Sequence, residues 1–256
     1  MLESAPLLMA LIALGFITLG AVLQRVSGMG VGMIAAPTLS LMLGPVAGVT
    51  LSNVAAIVSA VLLALLLRKD VDWPRFSQII PLLLVGSVLG AWAVLALDSE
   101  WLEVLLGGTV LLAIAAALGL QRVITVRGSA AMFGSAAAAG FMNTTAGVAG
   151  PAIAAYAVAS RWEQRRFAAT LQPIFLMANV SAIVTKSLVG TALPANIDIP
   201  AAVWVAVIVA GPLGIALGSR IARHVNPSKA RILAISIASL GGTLALIRGL
   251  TGVLTG

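Results

Sequence analysis

The chain is 256 residues long, 61% hydrophobic and only 9% charged, with a mean hydropathy of +1.12 and a formal net charge of +7. A soluble domain carries roughly 25% charged residues, so this composition excludes a soluble catalytic domain and identifies a polytopic membrane protein. There is no cysteine, which excludes disulfides, thiolate metal sites and cysteine nucleophiles, and the basic residues sit in short loops between apolar runs, where positive-inside orientation accounts for them better than nucleic-acid binding.

The start, Met1-Leu2-Glu3-Ser4, lacks the basic n-region of a cleavable signal peptide, so the first apolar segment, about 7–23, is expected to remain. It runs into a polar, Gly-rich break, Gln24-Arg25-Val26-Ser27-Gly28-Met29-Gly30-Val31-Gly32, followed by a short arm at about 31–43. Three longer apolar runs come next, at about 46–67, 78–97 and 101–120. The second half repeats the pattern: an arm at about 129–142, the break Asn143-Thr144-Thr145-Ala146-Gly147-Val148-Ala149-Gly150-Pro151, an arm at 151–160, then runs at 167–189, 199–219 and 229–249. The six long runs suit a hydrocarbon core of about 30 Å, whereas the arms after the breaks reach only about 15–20 Å at 1.5 Å per residue. Each break with its two arms reads as a re-entrant hairpin. Irregular backbone at membrane depth is tolerated only where protein or a water-filled cavity satisfies it, so two such breaks point to a solute site.

Loop charge separates hairpins from the alternative, in which the two arms join into one broken helix. With hairpins, placing Arg68, Lys69 and Arg75 in the cytoplasm also places Arg122, Arg127, Arg161, Arg165, Arg166, Arg220, Arg223, Lys229 and Arg231 there, and only Arg248 falls outside. Broken helices turn the second half over and send seven of these, from Arg161 onward, to the exterior, which the positive-inside rule disfavours. Glu3, Asp98, Glu100, Glu103 and Asp198 gather on the opposite side. The expectation is an all-α membrane protein, N-out and C-out, with two inverted repeats at 1–122 and 123–256. An offset of 119 residues superposes Gln24 on Asn143, Gly28 on Gly147 and Ala35-Ala36 on Ala154-Ala155; one residue more superposes Thr50-Leu51 on Thr170-Leu171. Inverted repeats with discontinuous helices are a recurring architecture of secondary transporters, which hold solute near the midplane.

Polar side chains at membrane depth are the first functional candidates: Gln24, Arg25 and Ser27 at the first break, Asn143, Thr144 and Thr145 at the second, and Asn53 and Gln172 in matching places of the following spans. Arg25 either meets a negatively charged solute or snorkels to the cytoplasmic headgroups. Gly28, Gly30 and Gly147 allow backbone to approach a ligand closely, and the arms that follow the breaks present helix N-termini, which favour anions. Ser52 neighbours Asn53, and Asn179 reads as a helix-bonding residue. Lys186 reads as snorkelling, the tryptophans 73, 92, 101, 162 and 204 as an interfacial belt, and Gly86, Gly90, Gly211, Gly214 and Gly218 as packing positions. No intramembrane His, Asp, Glu or Cys constellation supports an enzyme, a metal or a cofactor. The expected partners are a small anionic solute and the lipid bilayer.

The chain resembles the TauE/SafE sulfite exporter family of permeases. The matching features are Gly28-Met29-Gly30-Val31-Gly32 followed by Pro37, Val49-Thr50-Leu51-Ser52-Asn53, the turn with Val71-Asp72-Trp73, the Gly86/Gly90 helix, Ala146-Gly147-Val148-Ala149-Gly150-Pro151 and Ala168-Ala169-Thr170. Ala149 replaces a glycine usual in the second motif, and Tyr156 stands where Pro37 has its counterpart. The resemblance implies a permease of the inner membrane for sulfite, a sulfonate such as sulfoacetate, or a small carboxylate. A passive anion channel is the alternative mechanism.

Overall fold

The computed structural model describes residues 4–28, 30–119, 129–194, 198–222 and 224–255, and within these the chain is helical, with no strand. Met29, Arg122, Arg127, Arg223 and the expected boundary at 122–123 lie outside the described residues. The helices are α1 (Ser4–Ser27), α2 (Gly32–Leu43), α3 (Pro45–Leu67), α4 (Trp73–Ala96), α5 (Ser99–Gly119), α6 (Ser129–Ala146), α7 (Gly150–Ala159), α8 (Gln164–Leu188), α9 (Ala201–Ile221) and α10 (Pro227–Thr255). Among the described residues, six segments are long and apolar enough to cross a membrane: Pro6–Ser27, Pro45–Asp70, Trp73–Ala96, Gln164–Leu188, Ala201–Ile221 and Ser228–Thr255; the first of these was expected from sequence only as a short arm of a hairpin. Leucines, valines and isoleucines such as Leu66, Val85, Leu89, Val205, Leu244 and Leu254 face outward, a surface that lipid covers and water would not tolerate.

One difference from the sequence expectation is the length of the first arm. It was expected to stop at residue 23, but α1 continues as helix to Ser27 and α6 likewise runs through Asn143, Thr144 and Thr145 to Ala146. The polar residues stay helical because each finds a partner there, and the helices end only at glycines in left-handed conformation, Gly28 (φ +78°) and Gly147 (φ +71°). In both, the glycine N–H closes the last turn onto the carbonyl four residues back, Gly28 on Gln24 and Gly147 on Asn143, each at 2.9 Å. Glycine alone adopts this φ without cost.

Contacts fix the helix directions. Gly214 meets Thr18 and Ala21, and Gly218 meets Arg25, so α1 runs parallel to α9. Gly86 meets Ala137 and Gly90 meets Thr144, so α4 runs parallel to α6. Gly107 lies beside Leu246 and Gly249 beside Val104, which makes α5 and α10 antiparallel. Lys186 bonds Thr50 while Thr170 bonds the backbone of Asp72, which makes α3 and α8 antiparallel. Pro37 meets Gly241 and the carbonyl of Leu41 accepts from Arg248, so α2 follows α10. The chain therefore doubles back after Gly28, and Gly20 meets Val31. Past the end of α7, the ring of Trp162 lies 4.6 Å beneath the Arg75 guanidinium at the start of α4, so α7 also returns toward the end where α6 began. Small residues at the crossings let these backbones approach, the usual means of helix packing where lipid removes the hydrophobic drive.

Exchanging the two halves maps one set of pairings on the other: α1–α9 on α6–α4, with α3–α8 and α5–α10 mapping on themselves. The exception is local. α2 lies so tightly on α3 that a Cβ at Gly48 would overlap the backbone of Ser40, whereas a cavity opens between α7 and α8. Trp162, expected in the interfacial belt, is instead 7% exposed and packed among Tyr156, Phe167 and Arg75; its guanidinium partner stands in another helix far back in the chain and gives no local signal in sequence.

Candidate functional site

The two breaks meet. A Cβ at Gly32 would overlap the carbonyl oxygen of Gly147, and one at Gly147 would lie 2.8 Å from Cβ of Ala36. Beside this crossing lies a cavity of about 380 Å³ lined by both breaks, Gln24, Ser27, Gly28 and Gly30 from the first and Asn143, Gly147, Gly150 and Pro151 from the second. Phe167, Leu171, Phe175 and Asn179 of α8 form the facing wall, and Arg161, Gln164 and Arg231 complete the rim. The lining contains no Asp or Glu among the described residues. The residues before α2 and α7, Val31 and Ala149, make no cap with their own side chains; at α2 the N–H of Val31 goes to the Gln24 side chain and those of Met33 and Ile34 to the carbonyls of Gly30 and Val31, as the orphan donors of a first turn require.

Gln24 organises the first break. Its side chain is buried; the amide oxygen accepts from the N–H of Val31 at 3.1 Å, and the amide nitrogen donates to the oxygen of Gln172 at 3.0 Å. It thus ties α1 to the beginning of α2 and to α8. Asn143 donates to the side-chain oxygen of Asn179 at 3.2 Å, and Asn179 donates in turn to the carbonyl of Phe175. Asn179, read from sequence as a helix-bonding residue, does both: it makes that bond and lines the cavity. Its place two turns beyond Gln172 on the same helix could have suggested this.

The other candidates lie outside the lining. Arg25 turns to α9, where its Nε donates to the hydroxyl of Ser219 at 3.0 Å. Thr144 and Thr145 donate to carbonyls one turn back, Gly140 and Phe141, the local bond that threonine makes inside helices. Gln172 stands behind Gln24, and Asn53 lies beyond the crossing, 3.7 Å from the Cβ position of Gly147. Arg161, read as an orientation signal, sits on the cavity rim at φ +52°, ending α7 with the N–H of Trp162 on the carbonyl of Ala157 at 2.9 Å. A non-glycine residue in this conformation is uncommon.

Gln24→Leu leaves the Val31 N–H and the Gln172 oxygen unpaired in a buried place, at about 1–3 kcal/mol for each orphaned group. Thermal unfolding in detergent is expected to show a clear fall for Gln24→Leu and little change for Thr145→Val, which removes only a bond within one helix.

No curated protein and no solved structure matches the chain. The family model described as sulfite exporter TauE/SafE matches residues 11–255. That span takes in both breaks, the cavity and every long helix, and the chain belongs to the TauE/SafE sulfite exporter family of membrane transporters.

Proposed function

We propose that the chain is a permease of the cytoplasmic membrane that carries sulfite or a small sulfonate by alternating access between two inverted repeats, 1–122 and 123–256, with both termini outside. The observation that carries this reading is the meeting of two helix N-termini, α2 and α7, at one cavity furnished with amides and no carboxylate among the described residues. Each helix presents partial positive charge at its N-terminus, worth about 0.3–1 kcal/mol toward an anion at an exposed site and up to about 2 kcal/mol in a partly buried one. Gln24, Ser27 and Asn143 add polar side chains, and the backbones at Gly28 and Gly30 leave room for oxygen atoms of a tetrahedral or pyramidal anion, whereas Gly147 is closed in by Ala36. Gln172 holds Gln24 in place, Arg25 anchors the first hairpin to α9, and Thr144 and Thr145 belong to the helix that carries Asn143. Arg161 and Arg231 at the rim attract the solute by long-range charge.

The inverted arrangement is supported by the directions of the hairpins. The first has its open end where α10 finishes, beside Arg248, and the second where α4 begins, beside Arg75; α3, Pro45–Leu67, runs the length between. Basic residues Arg68, Lys69, Arg75, Arg161, Arg165, Arg166, Arg220, Lys229 and Arg231 occupy the second of these ends, which positive-inside orientation assigns to the cytoplasm. The cavity between α7 and α8 then faces the cytoplasm, while the close seat of α2 on α3 shuts the other side.

Counterflow in proteoliposomes tests the transport reading: labelled sulfite is expected to enter faster when unlabelled sulfite is trapped inside. Uptake without trans-stimulation means a pore, and no sulfite or sulfoacetate uptake at all removes the substrate class. Orientation is open to direct measurement because the chain has no cysteine. A cysteine placed at Ser99 should react with impermeant thiol reagents from outside the cell and one at Ser228 should not; the reverse pattern defeats the topology.

A further inference from the structure

Beyond the crossing of the two breaks, on the side away from the cavity, lies a group of buried polar atoms that the arrangement above does not use. Lys186 was expected to snorkel. Instead it is 1% exposed, and its Nζ donates to the hydroxyl of Thr50 at 2.8 Å. Thr50 donates onward to the carbonyl of Ala192, at 2.6 Å, in the loop that follows α8. No ion pair among the described residues includes Lys186; Glu103, a buried carboxylate on α5, is held by Arg248 at 3.3 Å. One turn along α3 from Thr50, Asn53 is fully buried with neither its amide nitrogen nor its oxygen partnered, and the hydroxyls of its neighbour Ser52 and of Ser40 on α2 are buried and unpartnered as well. Asn53 Oδ1 and Ser52 Oγ both lie 3.7 Å from the Cβ position of Gly147. A polar column therefore runs from the crossing, along α3, to the Lys186 amino group beneath the 189–194 loop.

Buried polar atoms are almost always paired, and a buried charge without a counterion is costly. The fold does not require this one. Thr170, the counterpart of Thr50, accepts at 2.8 Å from the backbone N–H of Asp72, and the positions of α3 that correspond to Lys186 are Leu66 and Leu67. The second half of the chain has put an amino group, able to carry a positive charge, where the first half manages with leucine and a peptide group.

We propose that Lys186, Asn53 and Ser52 form a second anion subsite, on the far side of the crossing, that receives the solute after it leaves the cavity and before release. The assignment rests on the anion-permease reading. The solute supplies the counterion that the protein withholds, and the Asn53 amide and Ser52 hydroxyl supply donors that are idle while the subsite is empty. Thr50 keeps the ammonium aimed along the column in the interval. An internal carboxylate would satisfy the lysine permanently and close the path to an anion.

The test compares the full-length wild type with Lys186→Met, Lys186→Arg and Asn53→Leu, using sulfite as the probe. Sulfite affinity in detergent, which reads the cavity, is expected to stay within about threefold of wild type in each, while sulfite counterflow falls at least about tenfold, roughly 1.4 kcal/mol, in Lys186→Met and Asn53→Leu and is largely retained in Lys186→Arg. In anion-poor buffer Lys186→Met is expected to melt above wild type, because a buried amino group without an ion-pair partner among the described residues has been replaced by an apolar side chain. Wild-type counterflow in Lys186→Met overturns the assignment. So does a lowered melting temperature or a failure to fold, since either makes the ammonium a structural group, and this second readout holds whether or not sulfite proves to be the solute. Absence of sulfite binding to the wild type itself counts against the permease reading instead.

Discussion

The contact of Gly32 with the carbonyl of Gly147 is the constraint on which the rest of the arrangement depends. Two chain reversals inside an apolar bundle each leave peptide groups without helical partners, and no water of the bilayer can satisfy them. Here each reversal starts with a glycine of positive φ and is followed at once by a new helix, so the irregular stretch is only a few residues long. The two stretches press on each other at a point where neither could carry a side chain. The meeting brings the beginnings of α2 and α7 to one cavity, and it sets a boundary between that cavity and the polar column of α3.

Much of this was legible in the sequence. The spacing of Gly28 and Gly147 pointed to two similar chain breaks, and α1 and α6 each end at a glycine of positive φ whose N–H bonds the carbonyl four residues back. The long apolar runs marked the helices that surround them. What could not be read were partners distant in the chain. Arg25 and Ser219 are 194 residues apart, Gln24 and Gln172 are 148, and Lys186 and Thr50 are 136. A polar residue in a hydrophobic run announces that it needs a partner without saying which one, so Gln24 and Asn143 could not be told from Thr144 and Thr145 as cavity residues. Threonine satisfies itself on its own helix; glutamine reaches across to another. The end of α1 was misplaced for the same reason, since Gln24, Arg25 and Ser27 look like a break until their bonds are known.

The family to which the chain belongs and the geometry of its cavity bear on different questions. Membership gives a membrane transporter of sulfite exporter type. The cavity adds that the positive ends of two helices and two amides, with arginines at the rim, are available to a negatively charged guest, and that shape and hydrogen bonding rather than a fixed ion pair would select it. The tight seat of α2 on α3 contrasts with the looser α7 on α8, between which the cavity opens.

The most direct measurement is a density map of the purified protein with selenite, a heavier analogue of sulfite. The account predicts a peak at the beginnings of α2 and α7, within hydrogen-bonding reach of Gln24 or Asn143. Saturating selenite that leaves this cavity empty, or binds only at the bundle surface, contradicts it.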